Sequence, residues 1–304
     1  MSRKRNLVWL NWPESAFRLS AGDFREFKRL FPGESVTVKS KRAFLRELPS
    51  ATMAVCWEFD GSWFARAPKL EVLATPGAGR ELLPAESELP RTVRKIHGAF
   101  HGAIMSETVL AYMLAWCRGL YKALEIQHSH AGGDPAWGRA ELSPFCSTLA
   151  GSEAVILGYG KIGRTIGAKL EALGAKVKGI SRANIGELPA AVRSADWLIC
   201  ALPSDTGTDN MVDAALLRKM KRSAVLINVG RGNAIDEAAL ARALSNRRLA
   251  AAFLDVFAAE PLRRESPLAG DLPGLYRFPH GSAFAPDYLK RFFAELAGEL
   301  AKTE

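Results

Sequence analysis

The sequence predicts an α/β protein of two parallel-sheet domains, and three observations carry that expectation. Its 304 residues exceed what one ordinary hydrophobic core organises and fit two domains of common size. Short apolar runs alternate with amphipathic stretches along most of the chain, the pattern of parallel strands joined by crossover helices. One of these runs leads straight into a glycine-rich turn and then a helical pattern. Hydrophobic residues make up 48% and charged residues 24%, a balance that supports packed cores and excludes disorder on a large scale.

Residues 7–12 read as a strand, 22–31 as a helix, and 35–38, 54–57 and 70–74 as further strands. The last of these runs into a loop, Thr75-Pro-Gly-Ala-Gly-Arg80, and this small α/β domain closes near Gly98. A long helical pattern extends from about Met105 to about His128. Its Val109, Tyr112, Met113, Trp116, Leu120 and Leu124 recur at helical spacing and read as a core-facing stripe. Glycines and prolines mark 131–147 as a loop or linker. Strands then follow at 154–157, 176–180, 197–201, 224–229 and 251–256. Helical patterns lie between them, including 162–173, 213–219 and 236–245, and 286–302 closes the chain as an amphipathic helix.

The glycine-rich turn is Gly158-Tyr159-Gly160-Lys161-Ile162-Gly163. Gly158 suits the tight turn, Gly160 lets backbone approach a pyrophosphate, and Gly163 lets the helix pack against the strand. The helix start then offers free N–H groups and a positive dipole end to phosphates. A turn flanked by strand, helix and second strand is a dinucleotide fingerprint, so this domain is expected to be a Rossmann-type doubly wound parallel sheet. The second strand ends in Ser181-Arg182 instead of the acid that accepts a ribose 2′-OH. Serine does not repel a 2′-phosphate and arginine can pair with one, so NADP(H) is favoured over NAD(H).

The formal charge of +9 favours anionic ligands. No basic run carries interleaved aromatics or a nucleic-acid motif, so nucleic acid is not an expected partner. The four cysteines are scattered without a C-x-x-C pair, which points away from disulfides and structural zinc and towards a reducing compartment. Cys200 reads as a small core residue, and His97, His101, His128 and His130 read as structural. The start, Met1-Ser-Arg-Lys-Arg5 before Asn6-Leu-Val-Trp-Leu10, looks superficially like a charged leader. Its apolar stretch is short and lacks a small-residue cleavage site, so a first buried strand is expected. No apolar run approaches bilayer length; no membrane association and a cytoplasmic location are expected.

Further motifs resemble those of the D-isomer-specific 2-hydroxyacid dehydrogenases, and among them the glyoxylate/hydroxypyruvate reductases. Asn228-Val-Gly-Arg-Gly232 is similar to the family's arginine motif, which implies Arg231 as the catalytic arginine. Leu254-Asp-Val-Phe-Ala-Ala-Glu-Pro-Leu262 resembles its aspartate–glutamate motif, implying Glu260 as the partner of the catalytic acid and Asp255 beside the nicotinamide. Phe278-Pro-His-Gly-Ser282 resembles its proline–histidine motif, implying His280 as proton donor. Thr75-Pro-Gly-Ala-Gly79 resembles the loop whose amides hold the substrate carboxylate, so Ala78 and Gly79 inherit that role; Arg80-Glu81 follows, where the family usually has an apolar residue and an aspartate. The resemblance adds Leu202, Pro203, Val229 and Gly230 to the cofactor-binding residues, and Trp57 is a candidate wall of the substrate pocket.

Chemically the set is coherent. An arginine offers a planar two-pronged donor to a carboxylate, a histidine titrates where a carbonyl oxygen needs its proton, and a carboxylate beside it raises its pKa. The resemblance further implies a dinucleotide-binding domain at 99–281. It also implies a smaller, flavodoxin-like α/β substrate domain made of 1–98 and 282–304, with ligands meeting in the cleft between the two. A homodimer is expected, with the helix near 105–124 as candidate interface and burial within the monomer as the alternative. The substrate is expected to be a small 2-keto or 2-hydroxy acid, with no metal. Two rivals stand beside this reading: a dehydrogenase on the same scaffold acting on another small acid, such as a formate or phosphite type, and a dinucleotide-sensing binding protein of corepressor type.

Overall fold

The computed structural model describes residues 4–129 and 138–302, and the chain forms two compact units. One comprises Met1–His101 with Ala283–Glu304, the other Gly102–Ser282.

The first unit holds five parallel strands, β1 (Arg5–Trp9), β2 (Glu34–Thr37), β3 (Met53–Cys56), β4 (Val72–Thr75) and β5 (Arg94–His97), in the order β2-β1-β3-β4-β5. Central β3 is buried along its whole length while the edge strand β2 is not, which is why only the interior runs read as continuously apolar. β5 went unread in the sequence because Arg94 and Lys95 break its apolar pattern at the sheet edge. The helix α1 (Ala21–Leu30) begins at a capping box in which Ser20 and Asp23 satisfy each other's backbone amides. A second helix, α2 (Lys41–Glu47), capped by Ser40, was also unforeseen. The closing helix returns to this unit: Phe293 packs its ring on Phe27 of α1 at 5.1 Å, and Glu295 accepts the Ala99 amide.

The second unit holds six parallel strands, β6 (Glu153–Leu157), β7 (Lys176–Ile180), β8 (Trp197–Cys200), β9 (Val225–Asn228), β10 (Ala251–Leu254) and β11 (Leu275–Arg277). Their order is β11-β10-β9-β8-β6-β7, doubly wound about β6. β8, β9 and β10 are fully buried, and Leu198, Leu226 and Leu254 lie in one core with Leu217 and Leu240 from the covering helices. The three-residue β11 is too short to have been legible.

Two expectations change here. The pattern at 105–128 is not one helix but two, α3 (His101–Cys117) and α4 (Leu120–Ser129). Gly119 adopts φ +63, the left-handed C-terminal conformation that ends a helix and suits glycine. The stripe also divides: Val109, Tyr112 and Met113 are buried, whereas Leu120 and Leu124 are 51% and 45% exposed. In the expected linker 131–147, residues 131–137, like His130, lie outside the described residues. Beyond them Arg139–Leu142 is a short helix and Ser143–Phe145 a 3-10 turn, so that part is not an open loop. All four cysteines are free, with Cys200 fully buried. Among the described residues no helix is long and apolar enough to cross a membrane, and no group of His, Cys, Asp and Glu could hold a metal ion.

Candidate active site

β6 delivers the glycine turn. Gly158 sits at φ +96, where L side chains are strained, and a Cβ there would lie 2.6 Å from the Ala201 carbonyl oxygen. A Cβ on Gly163 would fall 2.3 Å from the Gly158 oxygen, so the following helix, Lys161–Ala172, can approach the turn only as glycine. Space around Gly160 is open, and no side chain caps this helix. Its first-turn amides, Lys161, Ile162 and Gly163, therefore keep their donors for an anion at the positive end of the helix. These residues fit a pyrophosphate.

The amides of Gly158 and Tyr159 both donate to the Ile180 carbonyl, at 2.9 and 3.0 Å, which ties the turn to the end of β7. The Tyr159 ring occupies a slot over Gly167 and Gly179, which added Cβ atoms would close. Ser181 is turned back on Asn184, whose side-chain oxygen accepts both its amide and its hydroxyl. Arg182 points outward and is ion-paired with Asp205, an acid the sequence reading did not single out. Leu202 lies beside Gly230, where a Cβ would come within 2.6 Å of the Leu202 nitrogen; Pro203 continues that loop, and the Val229 amide donates to Cys200.

The three side chains expected to carry the chemistry, Arg231, Glu260 and His280, stand on the loops that leave β9, β10 and β11. Asn228, fully buried, donates to the Arg231 carbonyl and accepts the Gly230 amide, both at 3.0 Å, so one side chain shapes the turn that presents Arg231. Asp255 has zero exposure, and its two oxygens accept the Gly281 and Ser282 amides at 2.8 and 2.9 Å. Its carbonyl accepts the His280 amide. The Asp255 carboxylate is thus enclosed by backbone donors and holds the His280 turn. That turn needs holding, because His280 is a non-glycine residue at φ +51. Thr108 on α3 supports it by donating to the Ser282 carbonyl, and Tyr112 by stacking on Phe278 at 4.3 Å. Neither was foreseen, since a helix facing a distant loop leaves no local signal.

His280 Nδ1 donates to Glu260 Oε2 at 2.7 Å, and the other Glu260 oxygen accepts the Phe257 amide at 2.9 Å. The Glu260–Pro261 peptide bond is cis. The Glu260 hydrogen bond raises the His280 pKa above the ordinary histidine value; burial opposes it, and the Glu260 charge adds to it. Burial pushes Glu260 upward, but its bonds to His280 and Phe257 prevail and hold it below the ordinary carboxylate value. The charge of Arg231 acts on both groups, so the three expected residues share one electrostatic neighbourhood. His280 Nε2 makes no hydrogen bond among the described residues, which leaves a protonated ring with one donor to spend.

In the first unit Thr75 is buried; its hydroxyl donates to the Trp57 carbonyl at 3.0 Å and accepts the Gly77 amide. A Cβ on Gly77 would fall 2.1 Å from the Leu82 side chain, and one on Gly98 2.1 Å from the Pro76 oxygen. The loop is thus held closely up to Gly77, while no acceptor among the described residues takes the amides of Ala78 and Gly79. The half-buried Trp57 ring lies against Trp12, Phe17 and Tyr288.

A doubly wound parallel sheet with a fitted glycine turn at its first strand defines a dinucleotide-binding class of fold. Residues 110–282 match the family model for the D-isomer specific 2-hydroxyacid dehydrogenase, NAD binding domain. A glycerate dehydrogenase of Methylorubrum extorquens is 40% identical over 226 residues, covering 70% of this chain and 69% of that protein. A glyoxylate/hydroxypyruvate reductase B of Pectobacterium carotovorum is 31% identical over 239 residues, 74% and 73% of the two chains. The crystal structure of an NADPH-dependent glyoxylate/hydroxypyruvate reductase of Sinorhizobium meliloti, in complex with NADP and sulfate, superposes with a TM-score of 0.76. It is 27% identical and covers 99% of this chain and 95% of that one. The chain belongs to the D-isomer specific 2-hydroxyacid dehydrogenase family and is an NAD(P)-dependent enzyme of it.

Proposed function

We propose that this enzyme reduces a small 2-keto acid to the D-2-hydroxy acid, with glyoxylate and hydroxypyruvate as leading substrates and NADPH preferred over NADH. The observation that carries the reading is the 2.7 Å His280–Glu260 hydrogen bond, which keeps a proton on the imidazole while its Nε2 stays available. The names of the relatives support the substrate class. Arg231 holds the carboxylate and polarises the carbonyl, His280 protonates the carbonyl oxygen, and Glu260 holds the imidazolium. A bound nicotinamide supplies the hydride. The amides of Lys161, Ile162 and Gly163 grip the pyrophosphate, Gly158, Tyr159 and Gly160 shape the turn that presents them, Leu202, Pro203, Val229 and Gly230 flank the dinucleotide, and Asp255 lies beside the nicotinamide and positions the His280 turn. The Ala78 and Gly79 amides hold the substrate carboxylate and Trp57 walls its side chain. Exposed Leu120 and Leu124 favour a second copy of this chain as partner, and a cytoplasmic location completes the reading. The test is turnover of a panel of 2-keto acids with both cofactors; failure of glyoxylate and hydroxypyruvate alongside rapid turnover of another acid would remove them.

Glu260→Gln is expected to move the falling limb of the reduction pH profile to lower pH. With Glu260 the His280 pKa lies above its ordinary value, so the acid form persists to higher pH; the amide removes that support and the acid form is lost sooner. Identical kcat/KM profiles in both enzymes would uncouple Glu260 from the titrating group.

Cofactor choice gives a second expectation. Arg182→Ala should lower kcat/KM for NADPH about ten- to a hundredfold, the worth of a charge-assisted hydrogen bond, with little change for NADH. A wild type that uses NADH as well as NADPH contradicts the preference. A preference that survives the substitution means another cation holds the 2′-phosphate.

A further inference from the structure

Arg182, on which the NADPH reading rests, is not waiting with a free charge. Its Nη2 donates to Asp205 Oδ2 at 2.5 Å, across 23 residues of sequence. The two partners are unequal in freedom. The Arg182 side chain is 81% exposed and stands at the start of a short 3-10 segment, Arg182–Glu187. Asp205 is built into its loop. Its other carboxylate oxygen accepts the Gly207 amide at 2.9 Å. Its backbone amide donates to the hydroxyl of buried Thr208, at 3.2 Å, and its carbonyl accepts the Thr208 amide. That hydroxyl also lies within hydrogen-bonding distance of the Pro203 carbonyl, and Asn233 reaches it from the loop after β9. The carboxylate is therefore fixed and the guanidinium is the part that can move.

This matters because the acid absent from the end of β7 is supplied to the same corner by the loop after β8. We propose that Asp205 sets the cofactor discrimination of this enzyme, by competing with the 2′-phosphate of NADPH for the Arg182 guanidinium. The inference rests on the reading of Arg182 as the 2′-phosphate partner. A 2′-phosphate must draw Arg182 off Asp205 or share it. A dinucleotide with a 2′-hydroxyl does neither, so the ion pair can stay closed while NADH is bound. Asp205 thus lowers the advantage of NADPH without contributing to NADH.

The test is equilibrium binding of adenosine 2′,5′-bisphosphate, NADPH and NADH to the wild type, Asp205→Asn, Arg182→Ala and the double variant. Titration calorimetry serves the first ligand and fluorescence the other two. Asparagine keeps the oxygen that accepts the Gly207 amide and replaces the charged acceptor of Arg182 with an uncharged amide NH2, and a thermal melt confirms the fold. An exposed ion pair of this kind corresponds to about a two- to fivefold change in affinity. Asp205→Asn is expected to tighten both 2′-phosphate ligands by about that factor, leave NADH nearly unchanged, and lose its effect when Arg182 is already alanine. Unchanged or weaker binding of the bisphosphate to Asp205→Asn overturns the proposal. So does a gain that persists in the double variant, or one shared equally by NADH. If Arg182→Ala weakens the bisphosphate but Asp205→Asn does not strengthen it, only the role of Asp205 falls. If Arg182→Ala has no effect, the reading of Arg182 falls with it.

Discussion

Replacing His280 with alanine is expected to cut keto-acid reduction by about 10²–10⁴-fold, the usual worth of a positioned general acid, while dinucleotide binding stays close to wild type. The effect follows from the arrangement around one side chain. Asp255 uses both carboxylate oxygens and its carbonyl to hold the backbone of 280–282, and Glu260 fixes the ring through Nδ1. The proton left to give is on Nε2. Alanine keeps the Asp255 contacts, all of which go to backbone, so the loss should appear in kcat and not in the melting temperature. The measurement is kcat across the pH range with saturating cofactor, together with the dissociation constant for NADPH. A variant with near wild-type kcat at neutral pH would remove His280 from the role of acid.

Arg231→Lys is expected to lower kcat/KM for the keto acid by about ten- to a hundredfold, although the charge is kept. A guanidinium can offer two parallel N–H donors to a carboxylate, whereas an ammonium is a point charge on a flexible stem. One charge-assisted bond is worth about 1.5–3 kcal/mol, and the loss of orientation adds to it. The turn that presents this residue is shaped by Asn228 through bonds to backbone, so the substitution should leave the turn intact. Steady-state kinetics with varied keto acid provides the check, and a kcat/KM close to wild type would reject the role.

How far the site could be read in advance differed from residue to residue. The turn 158–163 was legible because much of what it requires is local: a positive φ at Gly158 and no side chain at Gly163 against the Gly158 oxygen; the Ala201 carbonyl that also bars a side chain at Gly158 comes from a distant strand end and was not. Arg231, Glu260 and His280 were legible through the motifs around them, each short and contiguous. Their support was not. Asp255 stood inside a recognised motif, yet only its complete burial and its bonds to the Gly281 and Ser282 amides give it the work of holding a turn. Thr108 and Tyr112 read as ordinary members of a helix, and the Asp205 partner of Arg182 lies a whole crossover away.

The same division runs through the fold. The sequence by itself determined the strand–helix alternation, the strands that became β8, β9 and β10, and the glycine turn that opens the helix at Lys161, because periodicity and glycine geometry act over a few residues. It also carried the family, whose motifs are unbroken stretches of chain. Tertiary structure decided where the helix after His101 breaks, which of its leucines are covered, that the charged strand β5 and the short strand β11 extend the sheets, and that a carboxylate meets Arg182. Those outcomes depend on pairing and packing between segments far apart in sequence, and a side chain's chemistry does not announce which distant partner the fold will bring to it.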